Sequence, residues 1–369
     1  MKKNMVISIW SDPSNYINLL FLINHFLKKK TNIILICQKI EDKTDFNYFV
    51  RKNRYLKIIE IKKNGKLGYL KFYKKKKDII KKINPQTLIS INFISLFISS
   101  LIFGKKNINW IYYNFDFNLT KGLKLNNFFE KHIIKYVNYI FLPSDSRVKL
   151  YKKNFLRNNN IFSVYNCFSK YFKIQNYKIG HKYQLLNKKK YLIRLGSFYK
   201  FHYLEEIALS TKFWDKGLYL VMAGKSYEGY YQKLKKFIKK NNLNKVILIE
   251  NISYKLWFSL LKNALAGFAL YKPINISHKL MGGTSQKLNN YIFAGIPSIV
   301  SKSEDILKFN KRYGTSIVTN NSPKDIAKKA NFLLKNKKYY LEKSKKNKNA
   351  FANEFNFEKQ IKKVEKYIF

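Results

Sequence analysis

The feature that most constrains this chain is a repeated change of period. Short runs of Ile, Val, Leu, Phe and Tyr recur along its whole length, separated by longer stretches with the spacing of amphipathic helices. The runs predicted as strands fall at 5–10, 33–37, 56–61, 88–93, 109–114, 139–143 and 162–165. The pattern then returns at 191–195, 218–223, 246–250, 265–270, 298–301 and 315–318. Helical patterns such as 16–28 and 128–136 lie between them. The runs are continuously apolar instead of alternating, as parallel strands buried on both faces must be. Strand–helix alternation of this kind predicts an α/β chain of parallel sheets covered by helices.

A polar stretch rich in Lys and Asn, 169–190, breaks the alternation and reads as a linker. The expected organisation is a Rossmann-like first domain at 1–168, a second at 191–350, and a terminal amphipathic helix at 351–369 able to pack back on the first. Two doubly wound domains facing a central cleft follow, with ligands expected beyond the carboxyl ends of the strands. Ser322-Pro323-Lys324-Asp325 has the cap, the proline and the following acid of a helix start. Asp145 reads as the cap of another helix, and His25 as structural.

Charge narrows the partners. Lys and Arg total 73 against 21 Asp and Glu, a formal net charge of +52. Only six of these are arginine, at 51, 54, 147, 157, 194 and 312, so the excess is lysine. Reading DNA bases favours arginine forks, so nucleic acid is not expected; an anionic membrane surface suits a lysine excess better. Cys37 and Cys167 form no CxxC, which leaves neither a zinc site nor a disulfide framework and fits free thiols in a reducing compartment. The first residues suit a strand better than a signal peptide. Segment 88–103 has eleven apolar residues in sixteen, short of the ~20 that span a bilayer. A strand running into a core-facing helix explains it, with contact to the membrane as the alternative.

The chemistry concentrates at 282–301. Gly282 and Gly283 let the backbone bend closely around a ligand. Thr284 or Ser285 caps a helix to about Ala294, Gly295 ends it, and Pro297 leads into a strand. Leu288, Tyr291 and Ile292 share its buried face. Such a start aims N–H groups and a helix dipole at one spot, and Lys287 adds a charge there: the outline of a diphosphate cradle. A plain βα junction is the competing reading. No Asp or Glu occurs from 251 to 303. Two more strands end in glycine and reach a lysine, at Gly196 with Lys200 and at Gly224 with Lys225.

These residues carry a resemblance. Ser285-x-Lys287-Leu288-x-x-Tyr291-x-x-Ala294-Gly295-x-Pro297, with the strand ends at Gly196 and Gly224, resembles the donor-binding block of GT-B glycosyltransferases of the group 1/family 4-like type, galactofuranosyltransferase-like members included. The resemblance implies a metal-independent transferase without cofactor, acting on a nucleotide-diphosphate sugar and a glycan or lipid-linked acceptor in surface polysaccharide synthesis. It implies that Gly283, Thr284, Ser285 and Lys287 meet the diphosphate with Lys200 as a second cation and Tyr291 near the donor; His278 and Lys279, in the loop before the glycine pair, are placed to reach the donor or equally to form a solvated loop. The family's paired glutamates are missing, and Asn290 stands where an acid often precedes the tyrosine. No D-x-D motif occurs, against the metal-dependent GT-A class. A cytoplasmic enzyme on the inner face of the membrane is expected. The rivals are a sugar-nucleotide epimerase of the same fold and a nonenzymatic nucleic-acid binder. An inverting transfer needs a base in the first domain; Asp12 and Asp116 are the candidates by position, each equally readable as a cap or loop acid.

Overall fold

The computed structural model describes residues 3–62, 65–102, 108–115, 124–155, 160–173, 186 and 189–369. They form two compact units, Met1–Asn166 with Phe357–Phe369, and Cys167–Asn356.

The first unit is a parallel sheet of β1 (Asn4–Ile9), β2 (Asn32–Gln38), β3 (Leu56–Ile61), β4 (Thr87–Ile91), β5 (Asn109–Tyr113), β6 (Tyr139–Leu142) and β7 (Ile161–Ser163), in the order β3-β2-β1-β4-β5-β6-β7. Its connecting helices are α1 (Ile17–Lys28), α2 (Lys43–Phe49), α3 (Gly65–Ile83), α4 (Asn92–Ser100), α5 (Lys124–Ile133) and α6 (Asp145–Asn154). β1 pairs with β2 and β4 on its two sides, Met5 lying opposite Ile33 and Thr87. That reversal of strand order is the switch point where a doubly wound sheet opens a crevice.

The second unit repeats the plan. β8 (Lys190–Leu195), β9 (Leu218–Gly224), β10 (Val246–Glu250), β11 (Ala266–Ala269), β12 (Ser298–Ser301) and β13 (Ser316–Thr319) run in the order β10-β9-β8-β11-β12-β13, all parallel. The helices are α7 (Leu204–Ser210), α8 (Tyr230–Lys240), α9 (Tyr254–Asn263), α10 (Ile276–Lys279), α11 (Gln286–Ala294), α12 (Glu304–Tyr313), α13 (Pro323–Lys335) and α14 (Lys337–Asn353). Its core runs from Leu192, Leu220 and Phe268 in the strands to Ile207, Leu234 and Leu333 in the helices, all essentially buried. The chain then returns to the first unit as α15 (Phe357–Val364). There Phe357 meets Phe21 of α1 at 5.8 Å between ring centres, and Asn109 donates to the Tyr367 carbonyl at 2.8 Å.

Local differences from the sequence expectation have physical causes. The strand expected through 93 stops at Ile91, because Asn92 takes a left-handed turn (φ 59°) and starts α4 at once. Ser144, not Asp145, caps α6: its Oγ accepts from the Arg147 N–H at 3.3 Å, and Asp145 instead accepts from the Tyr165 hydroxyl at 2.7 Å. α14 continues to Asn353, so the return to the first unit starts at Phe357, later than 351. Most of the linker expected at 169–190 lies outside the described residues. Among the described residues no helix is long and apolar enough to cross a membrane.

Candidate functional site

The site is built where β8, β9 and β11 end. Gly196 follows β8 with φ 115°, and its N–H donates to the Ala223 carbonyl at 2.9 Å. A Cβ on Gly224 would fall 1.9 Å from the Gly196 carbonyl oxygen, so only glycine allows the two strand ends to close this far. Over the bare Gly196 lies the stem of Lys287, its Cε 2.9 Å from where a Cβ would stand. Glycine here leaves the room that the lysine occupies.

Lys287 is set there by the start of α11. Ser285 is the cap, its Oγ accepting from the Leu288 N–H at 3.1 Å and standing 2.5 Å from the Tyr271 hydroxyl. The N–H groups of Gln286 and Lys287 have no acceptor within the helix, so the positive end of the dipole is presented outward. Gly283 precedes the cap with φ 74°, and its carbonyl accepts from Asn289 at 2.8 Å. Gly282 donates to Asp305 Oδ2 at 2.6 Å and has no space for a Cβ, which would lie 2.7 Å from the Asp305 carbonyl oxygen. Thr284 is buried, and its hydroxyl has no hydrogen-bond partner among the described residues. A buried hydroxyl left without a partner costs about 1–3 kcal/mol, a deficit that a bound ligand's oxygen would remove.

Beside Lys287 stand two bases that the motif reading missed. Arg194, 1% exposed, donates to the Gly196 carbonyl at 2.6 Å and to His202 Nδ1 at 2.8 Å. Nδ1 of His202 thus stands between the Arg194 guanidinium and the Ser197 carbonyl, the latter at 3.2 Å. Burial pushes the Arg194 guanidinium down to about 10. Burial first, then the charges of Lys287 and Arg194, holds His202 well below the usual histidine range. Lys287 is pulled down by burial and then by Arg194. Its ammonium lies 4.8 Å from the Tyr271 ring centre. No carboxylate contributes to any of these three shifts. Basic groups held together in this way, with a helix N-terminus and an orphaned hydroxyl, make a site that an anion would stabilise.

The structure gathers Gly196, Gly224, Gly283, Thr284, Ser285 and Lys287 at these strand ends. His278, on α10, joins by ring contacts of 6.3 Å each to His202 and Tyr271. Lys200, Lys225 and Lys279 are exposed to solvent. Tyr291 packs within the scaffold of the second unit. It is fully buried, its hydroxyl donating to the Phe268 carbonyl at 3.0 Å, with its ring on β11 where a Cβ at Gly267 would collide at 2.2 Å. In the first unit Asp12 anchors a turn. It is buried, with Oδ1 accepting from the Ser14 N–H at 2.9 Å and Oδ2 from the Glu41 N–H at 3.1 Å. Asp116 lies outside the described residues. The expectation of His25 as structural matches its 2.9 Å contact with Glu365. Arg194 did leave a signal: it is the single charged residue inside the apolar run 191–195.

No protein-family pattern matches the chain, and no curated protein matches it by sequence. Solved structures do match it by shape. Anabaena HepE in complex with UDP and glucose superimposes with a TM-score of 0.77 at 10% identity, covering 98% of each chain. Sucrose-phosphate synthase from Thermosynechococcus elongatus gives 0.76 at 11% identity, over 99% of this chain and 98% of that one. A glycosyltransferase from Rickettsia africae gives 0.75 at 13% identity, over 99% and 98%. At such identities the likeness is one of fold, and that fold is the GT-B fold of two Rossmann-like units in one chain.

Proposed function

We propose that this chain is a glycosyltransferase that takes a sugar from a nucleoside-diphosphate donor held at the strand ends of the second unit. The observation that carries the reading is the group Arg194, His202 and Lys287, set beside the N-terminus of α11 without an acid contributing to their shifts. When the bond from the sugar to the diphosphate breaks, negative charge grows on the leaving oxygens. Preorganised cations and N–H dipoles in a partly buried site stabilise that charge without reorganising. These groups supply what a metal ion supplies in other transferases. Glycosyltransferases and UDP-bound structures among the shape neighbours support the donor class.

The acceptor in this reading is a glycan or lipid-linked glycan of a surface polysaccharide, reached from the inner face of a membrane. An apolar groove of about 830 Å³ supports it, lined by Tyr69 and Tyr73 of α3, Phe93, Phe97 and Ile98 of α4, and Phe129 of α5. Leu67, Leu101 and Phe128 are more than half exposed. Lys66, Lys71, Lys74 and Lys75 are exposed on α3. Apolar side chains among lysines suit an anionic lipid surface.

The test is incubation of the protein with radiolabelled UDP-, GDP- and ADP-sugars and a bacterial lipid extract. Label passing to the lipid with release of nucleoside diphosphate supports the reading. An altered sugar still attached to its nucleotide would establish the epimerase instead.

A further inference from the structure

A second polar site lies in the first unit, at its switch point, where Trp10 and Ser11 follow β1 and Asn92 follows β4. A cavity of about 300 Å³ is lined there by Trp10, Ser11, Tyr16, Phe93, Asn127 and Glu130, among others. Ser11 Oγ and Asn127 Oδ1 are buried without a hydrogen-bond partner among the described residues. Buried polar atoms are rarely left so unless something else satisfies them.

Glu130, on α5, is 7% exposed. Its Oε1 accepts from the Tyr112 hydroxyl at 2.8 Å, the Tyr151 hydroxyl at 2.8 Å and Asn114 Nδ2 at 3.3 Å. All three donors are neutral and fall on one oxygen; no described residue donates to Oε2. No charged side chain contributes to the shift of its carboxyl. In a chain with 73 Lys and Arg, a buried carboxylate held without a cation is an exception that needs a reason.

The open groups share one character. Ionised, Glu130 Oε2 can only accept a hydrogen bond; Asn127 Oδ1 only accepts, and the Ser11 hydroxyl can accept too. A neutral polyol would supply donors but leave the carboxylate charge uncompensated. An ammonium supplies three N–H donors and the missing charge together. Trp10, Tyr16 and Phe93 suit the same guest, because aromatic faces attract a cation, and they also pack well against a sugar ring.

We propose that this cavity binds the ammonium group of a small amine, with Glu130 as its counter-ion and an amino sugar as the class of ligand. The inference concerns the first unit alone and does not depend on the donor reading. Burial pushes the free carboxyl above the usual range, and the hydrogen bonds from Tyr112, Tyr151 and Asn114 pull it part of the way back. A cation at Oε2 pulls it further down, so binding releases a proton wherever the free carboxyl is protonated. The titratable groups facing it are Tyr112 of β5 and Tyr151 of α6, with Tyr16 in the cavity wall. The net charge of +52 repels cations from the surface, so uptake of an amine reports a local site and not a general attraction.

The experiment titrates the full chain with D-glucosamine and, separately, with D-glucose at about pH 6.5, where a primary amine is charged. Calorimetry is expected to show saturable binding of glucosamine alone. Glu130→Gln keeps the shape and the oxygen that the tyrosines bind, and is expected to weaken glucosamine by at least about tenfold with the melting temperature little changed. Asn127→Asp adds a second acid to the wall and is expected to strengthen it. A further measurement needs only the parent fold. With glutamate carboxyls labelled by 13C, the resonance lost in Glu130→Gln is expected to titrate above the others and to move to lower pH with glucosamine but not with glucose. Equal binding of glucose and glucosamine, or a Glu130 resonance that ignores glucosamine, overturns the proposal. A protein that binds UDP but not glucosamine leaves the donor reading standing and strikes this one; the reverse result does the opposite.

Discussion

At the scale of single residues, the donor site is a problem in uncompensated charge. Arg194, His202 and Lys287 crowd one strand end; burial disfavours protonation of all three, and repulsion from neighbouring charges adds to it at His202 and Lys287. A bound diphosphate reverses that: its negative charge raises the pKa of Lys287 and His202, so the complex holds more protons than the free protein. Affinity for UDP is therefore expected to fall as pH rises through the region where the bound form is protonated and the free form is not. Calorimetry in two buffers of different ionisation heat is expected to show proton uptake on binding; equal heats would show that the bases do not respond to the ligand. Part of this was legible beforehand. Ser285 as cap, Gly283 as bend and Lys287 in the first turn follow from residue types and spacing alone. His202 did not, because a histidine a few residues past a strand carries no periodic signal, and its role comes from the inward turn of Arg194. Glu130 was hidden for the same reason: its partners Tyr112 and Tyr151 are 18 and 21 residues away in sequence.

At the scale of elements, continuous apolar runs predicted the strands closely because burial on both faces leaves little freedom in composition. Boundaries failed where a single backbone conformation decided them, as at Asn92. Helix packing hides a feature with no sequence signature. Lys76 of α3 is completely buried, donating to the Ser95 carbonyl of α4 at 3.0 Å and to the Ser99 hydroxyl. Ser8 of β1 and Ser90 of β4 extend this polar core, Ser90 Oγ standing 2.6 Å from Ser99 Oγ. Burial pulls the Lys76 amine well below the usual lysine range. The sign follows: above the folded-state value the unfolded chain binds the extra proton, so stability rises with pH until the unfolded value near 10.5. Lys76→Met is expected to reduce that rise by up to about 1.4 kcal/mol per pH unit, measured as urea-unfolding free energy between pH 7 and 10. An unchanged slope would show that the amine stays charged inside. Because the link ties α3 to α4, it also fixes two walls of the apolar groove.

At the scale of the whole molecule, the net charge of +52 is spread as lysine over both units and does not by itself identify a partner. What singles out one region is the lack of acids in the sequence from 251 to 303, the stretch that carries α10, α11 and β11. The same strand order, 3-2-1-4-5-6 counted from the first strand of each unit, puts a switch point in both. The central claim is that the cationic strand end binds a nucleoside diphosphate. Its most direct test is the melting temperature of the protein with UDP, GDP and ADP, for the parent and for Lys287→Ala. The account predicts a rise with one nucleotide that Lys287→Ala removes, at a salt concentration where oligonucleotides give none. A rise with oligonucleotides alone, lost steeply with salt, would contradict it.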